Sequence, residues 1–167
     1  MTGEKLAQRS YYGKALAHLA GTDPRVVVLD ADLADSTKTG EFKKVAPERF
    51  FECGIAEANM AGIAAGLALS GHVPFMSTFG IFATGRCWEQ IRTSICYPGA
   101  NVKIVATHCG LSVGPDGATH QALEDIAVMR ALPGMTVIVP CDAHEAYAAT
   151  LAIAAHDGPC YMRMGRS

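Results

Sequence analysis

The sequence predicts an α/β fold with a mostly parallel, open sheet and helices on both faces. Apolar, strand-like segments alternate with segments of helical spacing along the whole chain, which is the pattern of a parallel sheet. The segment RVVVLDA at 25–31 is almost continuously apolar, as expected for a strand that is buried on both faces. At 167 residues, half of them apolar, the chain has the size and composition of one globular domain.

Turn-forming residues divide the first half of the chain into its elements. The helical segments repeat small or apolar residues every three or four positions and end at glycine, whereas the strands are short runs of aromatic and β-branched residues. The predicted elements are a helix at 4–20 before Gly21, a strand at 25–31, an irregular polar segment at 32–49, a strand at 50–53, a helix at 55–69 and a strand at 73–77.

The second half of the chain follows the same alternation. Proline–glycine pairs at 98–99 and 133–134 end two of its helices. The predicted elements are a helix at 81–97, a strand at 101–107, a glycine-rich loop at 108–120, a helix at 121–131, a strand at 136–140, a helix at 143–155 and a strand at 159–164.

Charge and cysteine usage exclude several classes of function. The net charge of −2 predicts no basic surface for nucleic acid or for an anionic membrane. The six cysteines form no Cys-x-x-Cys pair and no cysteine–histidine zinc spacing, so we expect reduced thiols in a cytoplasmic protein. The first ten residues lack the apolar core of a signal peptide, and glycines interrupt the long uncharged run, so we expect no membrane span.

One acidic residue, Glu57, stands at the start of the least charged part of the chain, because no Asp, Glu, Lys or Arg occurs from 58 to 85. Ligands of parallel α/β sheets bind at the carboxyl ends of the strands, so we expect Glu57 to lie near other segments that follow strands. Those segments, at 30–36, 77–82 and 108–120, add two phenylalanines, two histidines and a glycine-rich loop. Together they predict a small-molecule site.

Each of these residues also has a purely structural interpretation. Glu57 fits the first turn of a helix, where an acid interacts favourably with the helix dipole. Phe79 and Phe82 fit an ordinary core, GPDG fits a turn, and His120 fits a surface position. The sequence contains no P-loop lysine motif and no GxGxxG that would decide between the interpretations.

Three motifs in one order favour the functional interpretation. GIAEANMAGIAAGLALSG, PFMSTFGIF and VGPDGATHQ resemble the pyrimidine-binding domain of transketolases, most closely the C-terminal subunit of split, two-chain transketolases. The resemblance extends from Arg9 to Arg163. It implies that residues 1–167 form one pyrimidine-binding domain, and that the family's diphosphate-binding and C-terminal domains are absent from this chain.

The resemblance implies thiamine diphosphate as the cofactor and two-carbon ketol transfer between sugars as the reaction. In this family a carboxyl group hydrogen-bonds N1′ of the aminopyrimidine, so that the 4′-amino group can remove the C2 proton, and Glu57 matches that carboxyl. An uncharged setting strengthens such a hydrogen bond. Phe82 matches the aromatic residue that stacks on the pyrimidine, and Phe79 lines the pocket. Asp32 and Leu33 match residues that approach the cofactor.

The remaining matches concern the substrate, a sugar or a sugar phosphate. By resemblance, His120 faces the reacting oxygens and moves a proton. Asp116 matches an acid that binds a substrate hydroxyl. Arg9, Ser36 and His108 match positions that hold the phosphate group.

The sequence also departs from the family. Val139 stands where many transketolases have an arginine before the PCD motif, which removes a bidentate phosphate ligand. Gly85 stands where a tyrosine usually lines the pyrimidine pocket. The GDG…N motif that ligates Mg²⁺ is missing, so the resemblance implies that a diphosphate-binding partner subunit binds Mg²⁺ and completes the site. It further implies that the chain associates with a second copy.

Other functions stay open at this point. The pyrimidine domain of a 1-deoxyxylulose-5-phosphate synthase shares GIAE and a DGxTH loop, and release of CO₂ from pyruvate would distinguish it. The β-subunit of a 2-oxoacid dehydrogenase fits less well, because it lacks the GPDGATHQ loop. A non-catalytic interaction subunit could keep the fold, although the presence of Glu57 and His120 argues against it.

Overall fold

The computed structural model describes residues 6–166. Its strands are β1 (Val26–Asp30), β2 (Phe50–Glu52), β3 (Val73–Phe79), β4 (Lys103–Thr107), β5 (Thr136–Ile138) and β6 (Cys160–Arg163). They form one sheet of six strands in the order β2-β1-β3-β4-β6-β5, and every pairing in it is parallel. The prediction of a parallel α/β sheet is therefore confirmed.

Helices cover both faces of this sheet. They are α1 (Gln8–Thr22), α2 (Ala34–Thr37), α3 (Gly40–Val45), α4 (Glu57–Leu69), α5 (Trp88–Gln90), α6 (Asp125–Arg130) and α7 (Ala143–Ala155). The side chains of β1 alternate between two cores: Val26 and Val28 pack with α1, α3 and α7, whereas Val27 and Leu29 pack with α4, α6 and the segment around α5. All five residues of β1 are buried, which is why the first four, 26–29, form a continuous apolar run.

The register of the strands brings four chain segments to one edge of the sheet. Asp30, the last residue of β1, lies beside Glu52 on β2 and Ser77 on β3. At the end of β3, Phe79 lies beside Thr107 on β4. The connections that follow β1, β2, β3 and β4 therefore begin side by side, as the sequence predicted.

The prediction of an irregular segment at 32–49 is wrong, because α2 and α3 form there. The buried carboxylate of Asp30 organises this segment: it accepts hydrogen bonds from Leu33 N at 2.6 Å, Thr37 Oγ1 at 2.7 Å and Thr39 Oγ1 at 2.8 Å. Burial raises the pKa of Asp30 to about 6, although these three hydrogen bonds act in the opposite direction. Helix formation here depends on contacts with a strand residue, which local periodicity does not reveal.

The helix predicted at 81–97 is not a regular α-helix. Two stretches of wide π turns, Phe82–Arg86 and Ile91–Cys96, flank the short α5. Such turns hold one extra residue, rotate the side chains that follow, and often occur at functional sites. The helix predicted at 121–131 begins only at Asp125, after a short 3₁₀ turn at Ala118–His120.

All six cysteines are free thiols in this structure. Burial raises the pKa of both Cys87 and Cys109 to about 12, so these thiols are protonated at neutral pH. In residues 6–166 no helix combines the length and the apolar character that crossing a bilayer requires.

Candidate active site

Glu57 is the first residue of α4, and its side chain is only 1% exposed. Its Oε2 accepts a hydrogen bond from Nη1 of Arg86 at 2.8 Å, so the acid is not the isolated charge that the uncharged run suggested. Arg86 is the first charged residue after that run, and the fold returns it to the acid that precedes the run. Within residues 6–166, Glu57 Oε1 accepts no hydrogen bond, so this oxygen remains available to a ligand.

The wide turn Phe82–Arg86 gives Arg86 a second contact. Its guanidinium carbon lies 4.4 Å from the centre of the Phe82 ring, a cation–π geometry. One guanidinium therefore links the buried acid to the aromatic residue expected to stack on the pyrimidine. A Cβ added at Gly85 would meet no atom within 4 Å, so the position expected to carry a tyrosine opens onto free space.

Four rings from two segments, 77–82 and 108–120, form a cluster next to this pair. The Phe79 and Phe82 rings are nearly parallel, with centroids 6.0 Å apart and an interplanar angle of 11°. The His108 ring lies 4.0 Å from Phe79, and the His120 ring meets Phe82 edge-on at 5.4 Å. The structure thus brings together the predicted residues Glu57, Phe79, Phe82, His108 and His120.

His108 is held in an unusual setting. Its backbone is left-handed, with φ 58°, and its Nδ1 shares a hydrogen bond with Thr107 Oγ1 at 2.8 Å. Burial, together with the nearby charges of Arg9 and Arg166, lowers the pKa of His108 to about 4, so the imidazole is neutral at pH 7. The chain can approach β3 closely here because position 80 is glycine: an added Cβ would overlap Cys109 Sγ.

Asp32 and Leu33 lie apart from the ring cluster, in the loop after β1. Asp32 has a left-handed φ of 62°, and its backbone N–H donates to Glu52 Oε1 at 2.7 Å. The same oxygen accepts from Gly54 N at 3.2 Å, which ties this loop to the one that leads to Glu57. Sequence reasoning missed Glu52, because nothing in the sequence marks a strand-end carboxylate as a bridge between two loops.

Arg9 and Ser36 are in contact through the backbone of Ser36. Arg9 Nη1 donates to the carbonyl oxygen of Ser36 at 3.0 Å. Asp116 lies in the loop after β4, where its charge acts on the pKa of His108, and His120 shares a hydrogen bond with Thr119 at 2.9 Å. All ten predicted site residues thus lie at the end of β3, in the connections at the carboxyl edge, or at the start of α1 beside it.

Cavity shape alone does not identify this edge. A cavity of about 580 Å³ lies instead near the starts of β4 and β5, where Arg92, Cys96, Tyr97 and Pro133 line it. In residues 6–166, no three or more His, Cys, Asp or Glu side chains are grouped to hold a metal ion. The chemistry at the carboxyl edge consists of one buried acid with an available oxygen, a ring face next to it, and two imidazoles.

This fold and site define a class: a parallel α/β domain with an acid–aromatic–imidazole site at the carboxyl edge of its sheet. Residues 4–167 match the family described as the transketolase pyrimidine-binding domain. The chain belongs to the transketolase family, as its pyrimidine-binding domain.

Individual relatives agree with this assignment. A protein described as a transketolase C-terminal section from Methanocaldococcus jannaschii is 51% identical over 166 residues, which cover 99% of this chain and 52% of the relative. A 6-deoxy-6-sulfo-D-fructose transketolase subunit from Clostridium sp. is 43% identical over 95% of this chain and 49% of its own length. The chain thus spans about half the length of these curated relatives.

A solved structure gives the same result for the fold. It is described as a split-gene transketolase in an inactive β4 tetramer, and it superposes with a TM-score of 0.87 at 54% identity. The superposition covers 98% of this chain and 53% of that chain.

Proposed function

We propose that this chain binds the aminopyrimidine half of thiamine diphosphate and activates it for ketol transfer, within an enzyme whose diphosphate-binding half is a partner chain. The observation that carries the proposal is the buried Glu57 carboxylate: Arg86, whose guanidinium also lies on the Phe82 ring, fixes one of its oxygens, and the other oxygen is available. A hydrogen bond to a ring nitrogen and a stacking surface are what an aminopyrimidine requires. The assignment to the transketolase family supports this cofactor.

When bound, thiamine diphosphate supplies the nucleophilic carbon that carries the two-carbon unit. In our proposal, Glu57 Oε1 holds a proton at N1′ of the pyrimidine, and Arg86 keeps the carboxylate in place. Phe82 offers its ring for stacking, which contributes roughly 0.5–1.5 kcal/mol beyond area burial. Asp32 and Leu33 form a second wall.

The two histidines have different proposed tasks. His120, edge-on to Phe82, moves a proton to or from the reacting oxygen of the sugar. His108 is neutral and buried, so it donates or accepts a hydrogen bond without adding charge. Asp116 binds a substrate hydroxyl, and Arg9 and Ser36 face the far end of the sugar. The sulfosugar named for the Clostridium relative suggests that an anionic group at that end need not be a phosphate.

The proposed partner supplies diphosphate and Mg²⁺ binding, because the GDG…N motif does not occur in this sequence. The proposal also includes association with a second copy, which the tetramer described for the split-gene relative supports, and a cytoplasmic location, which the free thiols suit.

A reconstitution experiment tests the proposal. The chain alone should show no ketol transfer, and adding a diphosphate-binding transketolase subunit should restore it, with activity saturating near an equimolar ratio. Glu57→Gln, mixed with the same partner, is the matched control and should stay inactive. Ketol transfer by the isolated chain would refute the proposal that two different chains form the active site. Release of CO₂ from pyruvate would favour the deoxyxylulose-phosphate synthase alternative, and cofactor binding without any turnover would favour the non-catalytic subunit.

A further inference from the structure

The loop after β4 that carries His120 is closed by hydrogen bonds between its two ends. Gly110 N donates to Ala122 O at 2.9 Å, and we call this pair of residues the neck of the loop. Beside it, Gln121 Nε2 donates to Leu111 O at 3.1 Å. His120 lies only two residues before Ala122, so the place of its ring depends on where the neck is held.

Beyond the neck most of the loop is exposed. Val113 is the one buried residue between 111 and 120, and its carbonyl oxygen accepts a hydrogen bond from Arg166 Nη1 at 3.1 Å. This hydrogen bond lies seven residues from His120, whereas the neck lies two residues away. The neck is therefore the nearer constraint on the imidazole.

The guanidinium of Arg163, the last residue of β6, lies against both sides of the neck. Its Nε donates to Asp125 Oδ2 at 2.7 Å, and Asp125 begins α6 three residues after Ala122. On the other side, a Cβ added at Gly110 would lie 3.0 Å from Arg163 Nη2, so the guanidinium packs against this glycine. One planar group thus contacts the residue that begins the loop and the helix that follows it.

The neck also packs against the segment that carries Phe79 and Phe82. Position 80 between them is glycine, where an added Cβ would overlap Cys109 Sγ and would lie 3.1 Å from Ala122 Cβ. Interiors packed this closely transmit small displacements. A shift of the neck would therefore change how the loop meets these two rings.

Net stability explains the ion pair of Arg163 and Asp125 poorly. Asp125 is 1% exposed, and its Oδ2 also accepts a hydrogen bond from Tyr161 at 2.9 Å. Its Oδ1 is buried and has no hydrogen-bond partner among the described residues, which costs free energy. A buried ion pair is often no more stabilising than apolar side chains of similar volume. These observations favour a role for the pair in fixing the arrangement of the chain.

We propose that Arg163 and Asp125 are positioning residues for His120: the pair holds the neck so that the imidazole stays edge-on to Phe82, at a centroid distance of 5.4 Å. Both residues act through the neck and not by contact with the cofactor or the sugar. The consequence for ketol transfer rests on the proposed function, whereas the placement of His120 does not.

NMR of the full chain tests the placement without a cofactor. The ring current of Phe82 shifts the ring protons of His120 in a distance-dependent way, so these signals report the geometry of the pair. We expect Arg163→Met to displace the His120 signals and to raise hydrogen exchange at Gly110 N roughly tenfold, because the neck loses its support.

Arg49→Met is the matched control. The Arg49 side chain is 20% exposed, against 21% for Arg163, and it donates to the carbonyl oxygens of Ala20, Asp23 and Val26 beside β1. This variant also loses an arginine that connects segments, but it should leave the His120 signals unchanged. Wild-type His120 signals in Arg163→Met, or an equal displacement in Arg49→Met, would overturn the inference.

A second variant covers the case in which Arg163→Met does not fold. Arg163→Lys keeps a positive charge for Asp125 but cannot also pack against Gly110, because an ammonium group has a single contact point. We expect a smaller displacement of the His120 signals in the same direction. A folded Arg163→Lys with wild-type His120 signals would contradict the proposal.

Kinetics of the reconstituted enzyme separate positioning from binding. Arg163→Met should lower kcat by up to about a hundredfold, the cost of misplacing a catalytic group by about 1 Å, while the Kd of the cofactor stays close to the wild-type value. Loss of cofactor affinity with unchanged kcat would contradict the positioning role. Displaced His120 signals, together with no ketol transfer by the reconstituted wild type, would refute the proposed function alone.

Discussion

Replacing Arg86 by methionine should destabilise the chain by about 2 kcal/mol, because Glu57 would remain buried without its partner. Removing one member of a fully buried ion pair costs about 3–5 kcal/mol. Arg86 is 46% exposed, so water compensates in part, and the range of about 1.5–3 kcal/mol for a charge-assisted hydrogen bond applies instead. The cation–π contact with Phe82 lies within this total, since methionine retains part of the stem packing.

Urea unfolding followed by circular dichroism measures this change. A domain of this size should also lose about 4–8 °C in Tm for a change of 2 kcal/mol. In a Glu57→Gln background the same substitution should cost much less, because no charge is then left unpaired. Unchanged stability of Arg86→Met, or an equal loss in both backgrounds, would refute the inference that Arg86 compensates the buried acid.

The ion pair between Arg163 and Asp125 provides a comparison for the cost of breaking the pair between Arg86 and Glu57. Its atoms lie 2.7 Å apart, and the side chains are 21% and 1% exposed, so less water can replace the arginine. Tyr161 also donates to this carboxylate, at 2.9 Å. Arg163→Met should therefore destabilise the chain more than Arg86→Met does. The reverse order would show that side-chain exposure does not set the cost of breaking these pairs.

Three further predictions concern activity and pH. Glu57→Gln should slow exchange of the cofactor's C2 proton by orders of magnitude in the reconstituted enzyme, because an amide cannot hold a proton at N1′ as a carboxyl does. Quenched NMR measures the exchange rate. A wild-type rate would remove Glu57 from the proposed mechanism. Val139→Arg should widen the kcat/KM preference for phosphorylated over neutral ketose donors, because it adds a charged donor next to Pro140, whose carbonyl oxygen accepts a hydrogen bond from Gln8, the neighbour of Arg9. An unchanged ratio would contradict this. The folded state raises the pKa of Asp30 from 3.8 to about 6, so it binds the proton of this carboxyl more tightly than the unfolded chain does. The stability that this proton contributes is therefore complete below pH 3.8 and is lost as the pH rises through 6. Asp30→Asn should remove this component from the pH dependence of the free energy of unfolding, and an identical pH profile would contradict the assignment.

The sheet was predictable because its signal is local. Continuous apolar runs such as residues 26–29 are buried on both faces, and glycine or proline–glycine turns separate other strands from their helices. The helices that the sequence missed, α2 and α3, depend on the Asp30 carboxylate. Each wide turn after β3 holds one residue more than an α-helical turn, but the residue types are those of an ordinary helix. The sequence pattern therefore predicted a single α-helix at 81–97.

The candidate site was predictable only in part. The order of the motifs, and the rule that ligands bind at the carboxyl ends of parallel strands, correctly placed Glu57, Phe82 and His120 at the carboxyl edge of the sheet. The ion pair with Arg86 joins residues 29 positions apart, and only the three-dimensional path of the chain shows that the two meet.

The left-handed backbones of Asp32 and His108 place a limit on thermostability. A non-glycine residue in this conformation costs about 1 kcal/mol, less for Asp than for His, and glycine would relieve that cost. Selection for heat resistance alone would therefore favour glycine at both positions, and each such gain would delete a side chain from the candidate site. Improved heat resistance and the proposed ketol transfer should thus be in conflict at these two positions, whereas helix surfaces far from the carboxyl edge lie outside this conflict.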